Sequence, residues 1–366
     1  MKIIHILNTN RFSGAENVVI TIIDNMKKDN EIIYVSPDGP IRKYLEENNI
    51  KYEPIKKVSI KEIRRVVKKY KPDIIHAHDF TASIVSSISA SKKTKVISHI
   101  HCNPEWIKKV NLKTVIYLLS SLRYKKILMV SNAIENEYKF RRFIIRKSEI
   151  IGNVTDIERI KKLSEENAIN EEFDVIFIGR LSYSKQPQKF IELVKKLVER
   201  NSSIKACMIG DGPLKEQCEK YIEEYNLKEN IEMKGFQKNP YIYLKNSKLL
   251  CMTSKYEGYG LVAVEALSFG KPVVAAKVGG IPNIVDENCG KLTNNVDEMI
   301  DEINKLLNDK KYYNKKSEEA LQRIHKINNI DDYILKLEEI YNQCLEGEWD
   351  VVLYRNIYIL YNNVNI

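Results

Sequence analysis

Short apolar runs recur along this chain at 3–7, 31–35, 73–77, 95–100 and 126–130, with helical patterns at 14–28, 40–49, 60–70, 80–91 and 105–123 between them. Runs such as IIHIL and DIIHA have too little polar alternation for a half-exposed strand and fit one buried on both faces. After a charged stretch rich in Glu, Lys and Asn at 155–172, the pattern begins again. Strands are expected at 173–178, 204–209, 230–233, 248–252 and 272–276, with helices at 186–200, 213–226, 240–246, 260–269 and 296–308 and a last one at 331–345. Alternation of this kind predicts parallel α/β sheets with helices on both sides. The 366 residues suffice for two separate cores. We therefore expect two Rossmann-like, doubly wound domains, 1–160 and 161–330, facing each other across a cleft. Residues 331–366 form a C-terminal helix and tail expected to pack back toward the first domain. Ligands of such sheets bind beyond the carboxyl ends of the strands, so the strand-end loops should carry the chemistry.

Composition excludes several classes. No apolar stretch approaches the roughly 18 residues of a membrane span, and IIHIL is too short for a signal peptide. The six cysteines contain no C-x-x-C pair, which predicts reduced thiols in a cytoplasmic protein. Net charge is +10, unevenly spread. Residues 1–160 hold about 30 Lys and Arg against about 17 Asp and Glu, leaving the remainder slightly acidic. The basic half is suited to an anionic partner: a phospholipid surface, a lipid-phosphate acceptor or nucleic acid. Few aromatics are interleaved with its cations, which argues against nucleic acid.

The second half carries the sharpest motifs. Glu257 and Glu265 stand eight positions apart in SKYEGYGLVAVEALSFG. Glu265 lies in an apolar helical run, where a carboxylate needs a hydrogen-bond donor, either a ligand hydroxyl or a protein group such as a core Arg or Lys. Glu257 precedes Gly258 and Gly260, whose backbone amides an anion can approach. Earlier, FIGRLSYSK places Gly179, Arg180 and Lys185 where a strand ends, two cations able to neutralise a diphosphate. MIGDGPL sets Gly210 and Gly212 in a strand-to-helix turn, and VGGIPNIV adds Gly279 and Gly280.

In the first half, Gly14 falls between the first strand and first helix. Four of the six histidines form two strand-end pairs, His76 with His78 and His99 with His101. Paired histidines can ligate zinc, but beyond Asp79 no compact third and fourth ligand stands nearby, so no metal site is expected. No D-x-D pair exists either, which points to metal-independent chemistry in which Arg180, Lys185 and helix termini neutralise phosphate. On the acceptor side, residues 105–127 have an apolar middle flanked by Lys108, Lys109, Lys113, Arg123, Lys125 and Lys126, with Trp106 beside them. Arg64, Arg65, Lys68 and Lys69 on 60–70 and FRRFIIRK at 140–147 add charge. These segments read either as a peripheral contact with an anionic membrane face or as core helices with solvated ends.

Taken together, the motifs resemble those of the GT-B-fold retaining glycosyltransferases of family 4, the glycosyltransferase group 1 proteins. The resemblance runs from Gly14 to about Leu292. It rests on E-x7-E at Glu257 and Glu265, on G-R-L…K at Gly179 to Lys185, and on G-D-G-P-L at Gly210 to Leu214. PDIIHAH, VSNAI and SGAE also fit. The resemblance implies that Arg180 and Lys185 bind the donor diphosphate and that Glu265 takes the ribose hydroxyls. Glu257 would take hydroxyls of the donor sugar, and the amides of Gly258, Tyr259, Gly260 and Leu261 would hold sugar and phosphate. His101 would stand beside the donor sugar near its anomeric carbon, and Gly14 would line the phosphate and acceptor side. It implies transfer from a nucleotide-sugar, UDP-linked by family frequency, to a glycan or lipid-linked acceptor in polysaccharide or cell-envelope synthesis. The family's usual N-G-x-D at the hinge is here Asn153-Val154-Thr155-Asp156. A nucleotide-sugar epimerase of the same fold and a nucleotide-binding scaffold are the competing readings.

Overall fold

The computed structural model describes residues 1–11, 13–166 and 169–346. The chain divides into two compact units: Met1–Val154 with the helix Ile330–Glu346, and Thr155–Asn329. The tail from 347 lies outside the described residues.

The first unit is built on seven parallel strands: β1 (Lys2–Ile6), β2 (Glu31–Pro37), β3 (Tyr52–Ile55), β4 (Ile74–His78), β5 (Lys95–Ile100), β6 (Tyr124–Met129) and β7 (Ser148–Ile150). Their spatial order is β3-β2-β1-β4-β5-β6-β7. The second unit has β8 (Phe173–Ile178), β9 (Ala206–Ile209), β10 (Ile231–Gly235), β11 (Ser247–Met252), β12 (Val273–Ala275) and β13 (Gly290–Leu292), in the order β10-β9-β8-β11-β12-β13. In each sheet the order reverses once beside the first strand, at β1/β4 and at β8/β11. Such a reversal splays the flanking loops apart and opens a crevice at the strand ends. These paired Rossmann-like sheets make the fold GT-B, as the sequence led us to expect.

Strand periodicity decides what each face holds. In the first sheet, Ile4, Ile6, Ile75 and Ala77 pack with Ile63, Val66 and Val67 of the helix Ile60–Tyr70 in one apolar core. The alternate positions of β1 and β4 carry His5, His76 and His78, all fully buried. In the second unit, Val175, Phe177, Leu249 and Cys251 pack with Phe190, Leu193, Val194 and Leu197 of the helix Pro187–Arg200. The helix Ile330–Glu346 packs against the helix Gly14–Met26 and β6. Where the chain enters the second unit, Thr155 and Asn328 exchange hydrogen bonds of 2.8 and 2.9 Å, tying two crossings of the backbone together.

Some elements differ from the sequence reading. The expected helix 105–123 is a 3-10 turn, Glu105–Lys108, and a separate helix, Leu112–Ser121. Asn111 causes the break: its side chain caps Lys113 and Thr114, while the Thr114 hydroxyl accepts from the Asn111 amide, a reciprocal capping box. The short strands β3, β7 and β13 and the helices Ile157–Leu163 and Lys310–Ile327 carried too weak a pattern to be read.

Candidate functional site

In the second unit the β8/β11 reversal brings two distant sequence segments together. Arg180 and Lys185 follow β8, and Glu257 to Gly260 follow β11. The loops are knitted by backbone. Thr253 Oγ1 donates to the carbonyls of Lys185 and Gln186 at 3.2 and 2.9 Å, and the Lys255 amide donates to Ser184 at 2.8 Å. This fixes the Lys185 ammonium on Glu257, whose carboxylate it hydrogen-bonds and neutralises. Glu257 is buried and Lys185 half-buried. Arg180 is exposed and forms no salt bridge among the described residues. A cation held on a carboxylate and a second facing solvent leave the loop ready to exchange one partner for an incoming anion.

Gly260, at φ +108°, opens the helix Leu261–Ser268 and directs its first amides toward this loop. Gly279 and Gly280, after β12, pack on the same segment. A Cβ on Gly279 would lie 1.5 Å from the Glu257 carbonyl oxygen, so no other residue permits the approach. Gly210 behaves likewise: a Cβ there would lie 1.9 Å from the Gly179 carbonyl. The close approach at Gly210 is therefore made by the chain's own backbone, a packing demand the sequence could not separate from a ligand's.

One helical turn in, Glu265 is buried, and burial lifts its carboxyl to about 7, with the Tyr241 hydroxyl at 3.3 Å opposing the rise. Among the described residues no Arg or Lys forms a salt bridge with it. One long hydrogen bond leaves most of a carboxylate's accepting capacity unused.

The β1/β4 reversal of the first unit holds a different chemistry. Parallel register pairs His5 with His76 and His78 with His99, so these four side chains share one face. His101 follows two residues on. His78 joins His5 and His101 through N···N contacts of 3.0 and 2.9 Å; His76 joins His99 at 3.1 Å and the Tyr341 hydroxyl at 2.7 Å. Burial keeps all five neutral. It drives His5 and His101 down to about 3 and His76, His78 and His99 well below their ordinary value. Beside them Asp79, at φ +68°, accepts from the His101 amide at 3.1 Å, and burial raises its carboxyl to about 6. Glu16 accepts from Thr9 and Ser13 where the helix containing Gly14 begins.

Two family models tile the chain: Glycosyltransferase Family 4 over residues 12–159 and Glycosyl transferases group 1 over 158–323. The chain belongs to this family of glycosyltransferases. An uncharacterized glycosyltransferase of Methanocaldococcus jannaschii is 30% identical over 237 residues, 58% of this chain and 58% of the relative. A Campylobacter jejuni enzyme is 24% identical over 361 residues, 92% of this chain and 98% of the relative. Its name is GalNAc-alpha-(1->4)-GalNAc-alpha-(1->3)-diNAcBac-PP-undecaprenol alpha-1,4-N-acetyl-D-galactosaminyltransferase. Among solved structures, Anabaena HepE in complex with UDP aligns with a TM-score of 0.80 at 21% identity, covering 94% of this chain and 100% of that one.

In this glycosyltransferase, Gly179, Arg180, Lys185, Glu257, Gly258, Tyr259 and Gly260 share the strand-end loops of the second unit, Leu261 and Glu265 stand on the helix that follows them, and His101 and Gly14 belong to the first unit. Sequence reasoning missed His5, which completes the histidine cluster, and Tyr341, 265 residues from its partner His76. It also denied the histidine pairs a compact third ligand. The nitrogens of His5, His76 and His78, and of His78, His99 and His101, each lie within 4.8 Å of one another. The signal for His5 was the polar residue inside IIHIL, which acquires meaning only once β1 is registered against β4.

In the first unit, the helix Leu112–Ser121 is inverted. It buries Thr114, Tyr117 and Ser121 and exposes Leu112 (75%), Ile116 and Leu119 (62%), with Leu122, Val110 (63%) and Ile88 alongside. Trp106 is half-buried: its ring packs edge-on against Phe80, at 4.7 Å, and the Lys113 ammonium stands 5.5 Å from its centre, so it does lie beside a cation of this segment. Arg65 and Lys69 are also partly committed, since both bind the buried Glu53. Among the described residues no helix is long and apolar enough to cross a membrane.

Proposed function

We propose that this protein is a retaining transferase that moves a sugar from a UDP-sugar to a hydroxyl of a glycan or lipid-linked acceptor in polysaccharide or cell-envelope synthesis. The observation that carries the reading is the meeting of Lys185, Glu257 and a helix N-terminus at the β8/β11 reversal. The diphosphate draws Lys185 from Glu257, which frees that carboxylate for hydroxyls of the donor sugar. Arg180 and the amides opening the helix Leu261–Ser268 stabilise the negative charge that grows on the leaving phosphate. Glu265, with accepting capacity unused, takes the ribose hydroxyls. The acceptor hydroxyl attacks on the leaving-group face and gives its proton to the departing phosphate oxygen, so the scheme needs no separate base. His101 and Gly14 are the first unit's contribution to this reaction. Metal-independent transfer follows from cations doing the neutralising. UDP is favoured because HepE was solved with UDP, with UDP and glucose, and with UDP-glucose. A lipid-linked acceptor is favoured by the undecaprenol named for the Campylobacter relative.

A panel of nucleotide-sugars, scored by thermal shift and donor turnover, tests the reading. UDP-sugars should stabilise the protein, and Lys185→Ala or Glu257→Ala should lower turnover about 100- to 1000-fold without unfolding it. Full turnover in both variants would remove the assignment.

The inverted helix supports a second element, peripheral docking on an anionic membrane from the cytoplasmic side. Leucines held in water, with Lys109, Lys113 and Arg123 near them, suit an interface that is apolar below and anionic above. Vesicles containing phosphatidylglycerol should carry the protein in flotation, and Leu119→Glu should abolish this. Equal flotation with neutral vesicles, or none with either kind, rejects the docking surface.

A further inference from the structure

Four buried histidines and the half-buried His101 form two hydrogen-bonded rows. One runs His5–His78–His101 and the other His99–His76–Tyr341. The rows lie face to face, with ring centroids 4.4 Å apart for His76 and His78 and 4.1 Å for His99 and His101. Both triads able to meet a metal ion include His78, and each of its nitrogens already contacts another ring. A metal there would have to break a link, so the geometry favours a hydrogen-bonded row.

A neutral imidazole carries one N–H and one lone pair. The row His5–His78–His101 must therefore run in one sense throughout. With the proton on every Nδ1, His5 donates to His78 and His78 donates to His101 Nε2. The last N–H, on His101 Nδ1, then points to the Asn153 side of the ring. His101 Nδ1 and Asn153 Oδ1 are both buried with no partner within strict hydrogen-bond geometry, and Asn153 is the neighbour that favours a proton on this ring. The one unmet atom is a lone pair, His5 Nε2. In the opposite sense a buried N–H is stranded on His5, and two lone pairs confront each other at His101 and Asn153. Stranded buried N–H groups are the rarer and costlier case.

We propose that His78, backed by His5, is a positioning residue that holds His101 as its Nδ1–H tautomer. The consequence for turnover rests on the reading of His101 given above; the tautomer itself does not.

The test uses full-length protein labelled with 15N at histidine. Two-bond 1H–15N correlation at pH 7 should show His101 protonated at Nδ1. His78→Phe should move His101 to Nε2–H or to a mixture, and should lower kcat about 10- to 100-fold with donor affinity within about twofold. His78→Asn, whose amide can donate from the place of Nδ1, should restore most of both. An Nε2–H signal for His101 in the unaltered protein overturns the proposal, and that spectrum decides even if His78→Phe does not fold. So does an unchanged tautomer in His78→Phe, or one transition-metal ion per chain in the purified protein by elemental analysis. A shifted tautomer with full kcat would take His101 out of the reaction and with it the effect on turnover, leaving the tautomer assignment standing.

Discussion

The two sheets reverse their strand order at the same place, yet the two reversals hold opposite chemistry. At β8/β11 the chain sets charge: Arg180, the Lys185–Glu257 pair and a glycine-opened helix. At β1/β4 it sets five rings that burial keeps uncharged. The topology supplies a crevice in both units, and the residues at the strand ends decide whether it holds a charged loop or a neutral wall. The units should accordingly answer to pH in opposite senses.

The largest effect is expected in acid. Each of the five imidazoles titrates lower in the folded chain than its ordinary 6.5. The stability each contributes is therefore present above 6.5 and is lost as the pH falls toward 3, at about 1.4 kcal/mol per pH unit per ring. Asp79, raised to about 6, has the opposite sign, but one carboxyl offsets one ring at most. Hydrogen exchange at pH 5 should show β1, β4 and β5 losing protection while β8 and β11 keep theirs. Equal loss in both would break the contrast.

Glu265 sharpens it from the other side. Its folded value of about 7 lies above the ordinary 4.5, so its contribution is full below 4.5 and is lost as the pH rises through 7. The whole change is on the order of 3 kcal/mol. Glu265→Gln should flatten the stability profile between pH 5 and 8 in denaturant titrations while weakening UDP binding. A profile that keeps its slope would mean that the carboxyl is not the cause.

A smaller effect should follow from Gly279→Ala, which combines the contact with the Glu257 carbonyl and a φ of +55°. We expect a cost of about 1–3 kcal/mol, confined to the second unit, and a loss of donor turnover. Wild-type melting and turnover would show that the loop yields without disturbing Glu257.

The sequence made the fold legible because strands buried on both faces read as unbroken apolar runs. The elements it hid were those that depend on neighbours: β3 contains Pro54, β7 and β13 are three residues each, and the helix break at Asn111 is a side-chain cap. Around the charged loop of the second unit, Arg180, Lys185 and Glu257 stood out because each lies in a compact motif. The histidine wall did not, since its meaning depends on register between β1, β4 and β5 and on a tyrosine at the far end of the chain. Local patterns are read from adjacent residues, and this cluster has almost none.

That distant tyrosine has a consequence for how the protein is made. The strands of the first unit leave the ribosome as residues 1–154, but Tyr341 and the helix bearing it are translated only after the entire second unit. Until then His76 lacks its hydroxyl partner, and the surface that the helix Ile330–Glu346 covers stands open to water. Synthesis therefore completes the later unit before the earlier one, and a ribosome that stops short of position 341 releases an unfinished amino-terminal half.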